Sequence, residues 1–320
     1  MIIWLSFLAL ITIFLAIDLG VFNREAHEIS YKEATKWTIG WTTLGLLFSG
    51  VIYLIYKNGL MVSPHPTTAT QSAIEYLTGY IIELTLSIDN IFVIAMIFKS
   101  FRIPKKYQHR VLFWGIIGAL LFRGIMIAFG VILIEKFTWT TYIFGAFLIY
   151  TAIKMAITDD EEEFDPKSSF MYKMVKKIMP VTSRIDHEKF IVKRNGLTIA
   201  TPLLLALILI EFTDILFALD SIPAILGITT DPFIVFTSNI FAILGLRSMY
   251  FFVANMLDSF HYLKYSLTVI LTYVGIKLIL ANHYHLSIGL SLLIILISIL
   301  GGIYFSLKYK KEHPHEVEES

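Results

Sequence analysis

Two stretches of this chain carry acids where an apolar run should have none. The first is Glu83-Leu84-Thr85-Leu86-Ser87-Ile88-Asp89-Asn90. The second is Asp214-Ile215-Leu216-Phe217-Ala218-Leu219-Asp220-Ser221, with Glu211 just upstream. Each reads acid, five mostly apolar residues, acid, then a small polar side chain that can offer oxygen to a cation. Together with Asn239 and the hydroxyls of Thr85, Ser87 and Thr213, these are all hard oxygen donors. Such sets suit Mg²⁺, Ca²⁺ or Mn²⁺ rather than copper or zinc. No histidine lies close to either stretch, and the chain has no cysteine. Disulfides, zinc–thiolate sites, iron–sulfur clusters and a cysteine nucleophile are thereby excluded.

The elements that hold these acids are membrane spans. Hydrophobic residues make up 56% of the 320, and mean hydropathy is +0.72. The apolar excess comes in blocks about 20 residues long, the length of a bilayer-crossing helix. The expected fold is all-α, a polytopic membrane helix bundle. Nine spans are expected, at 2–18, 37–56, 74–98, 111–134, 138–157, 198–226, 233–255, 264–281 and 287–307. The first lacks a basic lead and a small-residue cleavage site, so it reads as a retained helix and not a signal peptide. Among the Lys and Arg residues between spans, all but Lys57 and Lys136 fall on one set of alternate loops. Retention of basic loops in the cytoplasm then puts the N-terminus outside and the C-terminus inside. The net charge of +1 and the lack of a basic arm give no sign of nucleic-acid binding.

The chain reads as one membrane domain in five parts: two N-terminal helices over 1–73, a unit over 74–157, a cytoplasmic loop over 158–197, a second unit over 198–281, and a last helix and tail over 282–320. The loop opens on an acidic run, Asp159 to Glu163, that reads as solvated, with a regulatory cation site as the minority reading. Met171 to Met179 follows, apolar at helical spacing with lysines between, and is expected to lie on the membrane surface.

The two units match in order. After each acidic stretch comes an arginine, Arg123 in Ala119-Leu120-Leu121-Phe122-Arg123 and Arg247 in Ile243-Leu244-Gly245-Leu246-Arg247. Then comes Tyr-x-x-Ile-Lys, ending at Lys154 and Lys277. A three-span unit repeated in tandem must insert upside down the second time, which is the inverted repeat of many secondary transporters. Asp89 and Asp220 would then lie toward opposite faces, with Glu83, Glu211 and Asp214 between them. Residues six apart on an unbroken helix are turned about 120° from each other and lie roughly 9 Å apart along the axis. Glu83 and Asp89 could share one ion only across a break, and Pro223 favours a break in the second stretch.

A carboxylate near mid-bilayer costs on the order of 2.5–3.5 kcal/mol to insert, so these acids must face inward and be compensated. Arg123, Arg247, Lys154 and Lys277 are the candidates for compensation, with Arg123 and Arg247 pairing with the acids when no ion is bound. Purely structural ion pairs, such as Glu83 with Lys277, are the alternative. Asp18 reads as an interfacial carboxylate or a contributor to the ion path, and Asn239 and Asn255 as path residues or interhelical hydrogen-bond formers. His313-Pro314-His315-Glu316 reads as an ordinary tail rather than a metal site, and the ten methionines as packing.

The acidic stretches, continued by Ile222-Pro223-Ala224, Asp231-Pro232-Phe233-Ile234-Val235-Phe236-Thr237-Ser238-Asn239 and Phe241 to Arg247, resemble the signatures of the TerC family. The leading Asp18-Leu19-Gly20-Val21-Phe22 is similar to its Alx-type branch. The resemblance runs from about Asp18 to Leu280 and includes Phe164-Asp165-Pro166 and Pro180-Val181-Thr182. It implies export of Mn²⁺ across the bacterial cytoplasmic membrane, with links to tellurite resistance or to supplying metal to exported enzymes. Carried over by motif, the metal-path residues are Glu83, Asp89, Asn90, Glu211, Asp214, Asp220 and Ser221. The expected activity is alternating-access efflux of a divalent cation, the metal being cargo and not a cofactor, with protons as the expected coupling ion. Protein partners are left open. A membrane scaffold or assembly factor acting through 158–197 is the rival reading. An intramembrane enzyme using paired carboxylates is a third, disfavoured by the lack of a nucleophile motif, and no Walker motif is present to supply ATP drive.

Overall fold

The structure is a computed structural model and describes residues 2–20, 30–64, 67–137, 139–157, 170–182, 184–194, 197–253, 263–281, 283–284 and 286–312. The acidic run at 159–163, Asn255 and the histidine-bearing tail lie outside them. Ten helices occur in these residues: α1 Ile2–Gly20, α2 Tyr31–Lys57, α3 Ala69–Ser100, α4 Lys105–Lys136, α5 Thr140–Ile157, α6 Phe170–Ile178, α7 Pro202–Leu226, α8 Pro232–Val253, α9 Leu263–Leu280 and α10 Ile288–Glu312. Seven of them are long and apolar enough to cross a bilayer, namely α2, α3, α4, α5, α7, α8 and α10. The protein is thus an all-α polytopic membrane bundle. Of the other two expected spans, α1 has a shorter apolar stretch, Ile2–Ile17, and α9 holds both Lys264 and Lys277.

Capping sets where the helices begin. Thr68 and Gln71 form a reciprocal capping box at the start of α3, five residues before the expected span. Asp231 accepts from the backbone N–H groups of Phe233 (3.0 Å) and Ile234 (3.4 Å), and Pro232 opens α8 where no N–H is needed. Two strands, β1 Ile191–Arg194 and β2 Leu197–Ala200, form an antiparallel hairpin. The hairpin corrects the sequence reading, which began a span at 198. Thr201 ends the extended segment, and Pro202 starts α7 in its place. The helix expected around 171–179 is α6, Phe170–Ile178.

α8 sits at the centre. Nearly every residue from Phe233 to Val253 is buried, against α2, α3 and α4. A helix apolar on all sides is stable only when enclosed in this way. α1 closes part of the enclosure through Phe7, whose ring meets Phe48, Phe233, Phe236 and Phe241. α10 instead turns Leu293, Ile297, Leu300 and Tyr304 outward, as a lipid-facing helix does.

The two trios α3–α4–α5 and α7–α8–α9 pack as an inverted pair. α3 lies against α8 and α4 against α7, and these contacts exchange if the trios are swapped. Each helix also runs antiparallel to its counterpart. Gly79 of α3 adjoins Ile225 of α7, whereas Asn90 shares a cavity with Asp214. Arg123 of α4 bonds Asn239 of α8, whereas Ala119 packs with Ile243. Gly145 of α5 adjoins Ile279 of α9, whereas Ile149 adjoins Gly275. In every pair the sequence number falls on one helix as it rises on the other.

Candidate ion-path site

Arg123 stands where the two trios meet. It is 1% exposed and projects from α4 between α3, α7 and α8. Its fork grips Asp214 through Nη2 to Oδ1 at 2.8 Å and Nε to Oδ2 at 3.1 Å. Nη1 donates to Oε1 of Glu83, which is fully buried, and reaches Ser221 Oγ at 3.4 Å and Asn239 Oδ1 at 3.3 Å. The Asn239 amide is oriented by its own Nδ2, which donates to Val235 O at 3.0 Å. One guanidinium therefore bridges Glu83 of the first unit and Asp214 of the second. Planar bidentate geometry explains arginine here, since a lysine would meet the same acids as a point charge. The structural alternative in the sequence reading paired Glu83 with Lys277, and the structure replaces Lys277 with Arg123.

Around this bridge are buried oxygens that find no donor among the described residues: Oε2 of Glu83, Oε2 of Glu211 and Oδ1 of Asn90. A buried acceptor left without a partner costs about 1–3 kcal/mol. Glu211 occupies a slot made by Gly118 of α4, where a Cβ would overlap its carboxylate. Asn90, Gly115, Thr213, Asp214 and Arg247 line a cavity of about 20 Å³, space for one water or a bare cation.

The other candidates lie apart. The Thr151 hydroxyl of α5 donates to Asp220 Oδ1 at 2.9 Å, and the Lys154 charge acts on the same carboxylate. Asp89 occupies its helical position on α3, and Asp18 its position on α1; their side chains lie outside the described residues. Lys277 is at another end of the bundle, where its Nζ donates to Ser291 Oγ at 3.0 Å.

No break separates the acids. α3 is continuous through Glu83 and Asp89, and α7 is continuous through Pro223, correcting the expected break. Pro223 lies in the last turn of α7, so the missing N–H removes one ladder bond shortly before the helix ends at Leu226. Among the described residues no three Asp, Glu, His or Cys side chains close on one point. The described acids thus stand as separate groups and not as one cage.

A second polar group escaped the sequence reading. Glu75, 4% exposed, accepts from Thr229 Oγ1 at 2.6 Å, and Tyr56 OH donates to Asp231 Oδ2 at 2.7 Å. Glu75 and Lys277 line a cavity of about 530 Å³ between α3, α7, α9 and α10. Glu75 stood at the margin of an expected span, where a charge is ordinary. Its place in α3, two turns before Glu83, was the available signal.

The chain matches the integral membrane protein TerC family over residues 68–313. A protein of Escherichia coli strain K12 named "Putative membrane-bound redox modulator Alx" is 46% identical over 90% of this chain and 89% of its own. An uncharacterized membrane protein of Myxococcus xanthus, STKORF319, is 44% identical over 97% of this chain and 93% of its own. One from Rickettsia felis is 42% identical over 98% and 99%. No solved structure matches. The antiparallel trios joined at Arg123 therefore belong to a member of the TerC family of integral membrane proteins.

Proposed function

We propose that the protein exports a divalent cation, Mn²⁺ by family resemblance, across the bacterial cytoplasmic membrane by alternating access, with protons as the counter-ion. The observation that carries the reading is the set of donorless buried oxygens of Glu83, Glu211 and Asn90 beside an acid pair already held by one cation, the Arg123 guanidinium. Oxygen acceptors without donors are what a hard cation coordinates. The inverted trios place them at the repeat interface, as in secondary transporters. Asp220, bonded to Thr151, is a station further along α7. The N-terminus is outside and the C-terminus in the cytoplasm, as the basic loops require. Metal homeostasis, or resistance to metal or tellurite, is the physiological setting. The name of the E. coli relative offers redox modulation as a second description. This chain has no cysteine with which to exchange thiols, so a redox phenotype would follow from metal level.

The test is Mn²⁺ flux in proteoliposomes under an imposed pH gradient. Wild-type protein should move Mn²⁺ against its gradient when protons run the other way, and Asp89→Asn and Asp220→Asn should each abolish that flux while inserting normally. Unchanged flux in both variants would overturn the reading.

A further inference from the structure

The Arg123 bridge and the small cavity beside it are images of each other under the repeat. The shift that carries Arg123 onto Arg247 carries Gly115 onto Asn239 and Ala119 onto Ile243. The shift between the acidic stretches carries Glu83 onto Asp214 and Asn90 onto Ser221. Arg123 contacts Glu83, Asp214, Ser221 and Asn239. The image of that set is Arg247 with Asp214, Glu83, Asn90 and Gly115. Arg247, Asp214, Asn90 and Gly115 all line the cavity. Only Glu83 of the image set is elsewhere; Arg123 holds it together with Asp214, which also borders the cavity. The trios are thus alike in sequence and unlike in arrangement: one arginine bridges the acid pair, and the other faces a cavity next to it.

We propose that Arg247 is the positioning residue of the opposite-facing state. When the trios exchange arrangements, Arg247 moves into the cavity and bridges Asp214 to Glu83, and Arg123 releases them. The acid pair passes between two tethered guanidinium groups, and the cargo cation is taken up as one leaves and before the other arrives. The path is closed on the side of the engaged arginine and open on the other. The pair is never left both uncompensated and unliganded, which would cost several kcal/mol per buried ion. Gly115 has no side chain because Arg247 must pass it, whereas Asn239 at the equivalent place on α8 is oriented to receive Arg123. The proposal rests on the alternating-access reading and assigns its two ends to two arginines.

The absence of cysteine makes it directly testable. Ile94 lines the cavity, and its image Ile225 is fully buried on the other side of the bridge. Ile94→Cys and Ile225→Cys are introduced singly into otherwise unchanged protein and reacted with a small, membrane-impermeant methanethiosulfonate reagent. In wild type, Cys at 94 should react faster than Cys at 225. Arg123→Gln should raise reaction at 225 and lower it at 94, each by roughly tenfold, the effect of one charged hydrogen bond. Arg247→Gln should do neither, holding 94 open and 225 closed. Arg123→Lys, which keeps the charge, should shift both sites in the directions of Arg123→Gln at smaller amplitude, Arg247→Lys should shift neither, and the Lys variants serve if either Gln variant fails to insert. Equal shifts from the two arginines, or none, would overturn the handover. Mn²⁺ flux of the wild type is scored separately, so loss of the transport reading and loss of the handover are distinct results.

Discussion

Asp214 and Glu83 need each other only through Arg123. Two carboxylates this buried are tolerable because one guanidinium satisfies both. Removing a single partner of a buried pair typically costs about 3–5 kcal/mol, because the remaining charge is stranded. Arg123→Met should therefore lower stability in detergent by about that amount, read as loss of folded monodisperse protein on heating. Arg123→Met with Glu83→Gln and Asp214→Asn should recover much of it without recovering flux. A smaller change tests the Glu211 slot. Gly118→Ala should displace the Glu211 carboxylate and lower Mn²⁺ flux, whereas Gly124→Ala, whose Cβ would meet only the Phe236 ring at 3.3 Å, should leave flux near wild type. Of these residues, Glu83, Asp214, Arg123 and Arg247 stood out in the sequence because each is a charge inside an apolar run. Gly118 did not, since its role is the absence of a side chain opposite one particular carboxylate.

The helices show where local rules decide and where packing does. The starts of α3 and α8 follow from Thr68 with Gln71 and from Asp231 with Pro232, capping signals written locally. Pro223 misled for a local reason too: a proline inside an apolar run suggests a break, but near the end of α7 it costs little. The α5–α9 contact had no local signature. A Cβ on Gly145 would lie 2.7 Å from the carbonyl oxygen of Gly275, and one on Gly275 would lie 2.9 Å from that of Gly145. Small residues let membrane helices approach at backbone distance. Gly145→Leu or Gly275→Leu should separate the pair and destabilise the protein by roughly 1–3 kcal/mol, whereas Gly289→Leu, with open space around it, should have no such effect.

At the scale of the molecule, the inverted trios hold the residues of the proposed path, and α6 packs against α7. Deleting residues 159–163 should therefore leave Mn²⁺ flux in proteoliposomes unchanged; loss of flux would tie the acidic run to transport. A scaffold acting through that segment would lose its cellular effect with flux intact. The all-α bundle, the repeat and the inverted sense of its second copy were determined by sequence alone. Apolar blocks of bilayer length must be helices, because lipid offers no partner to an unpaired backbone group, and a tandem unit of three spans must turn over. Which cation compensates which acid was decided by tertiary structure. Lys277 and Arg123 read alike along the chain, as single charges in apolar runs. Only the antiparallel packing of α3 on α7 brings Glu83 and Asp214 within one guanidinium, while it leaves Lys277 beside Glu75 in a separate cavity. The charge pattern is a property of the chain; the pairing of its charges depends on distances between helices far apart in sequence.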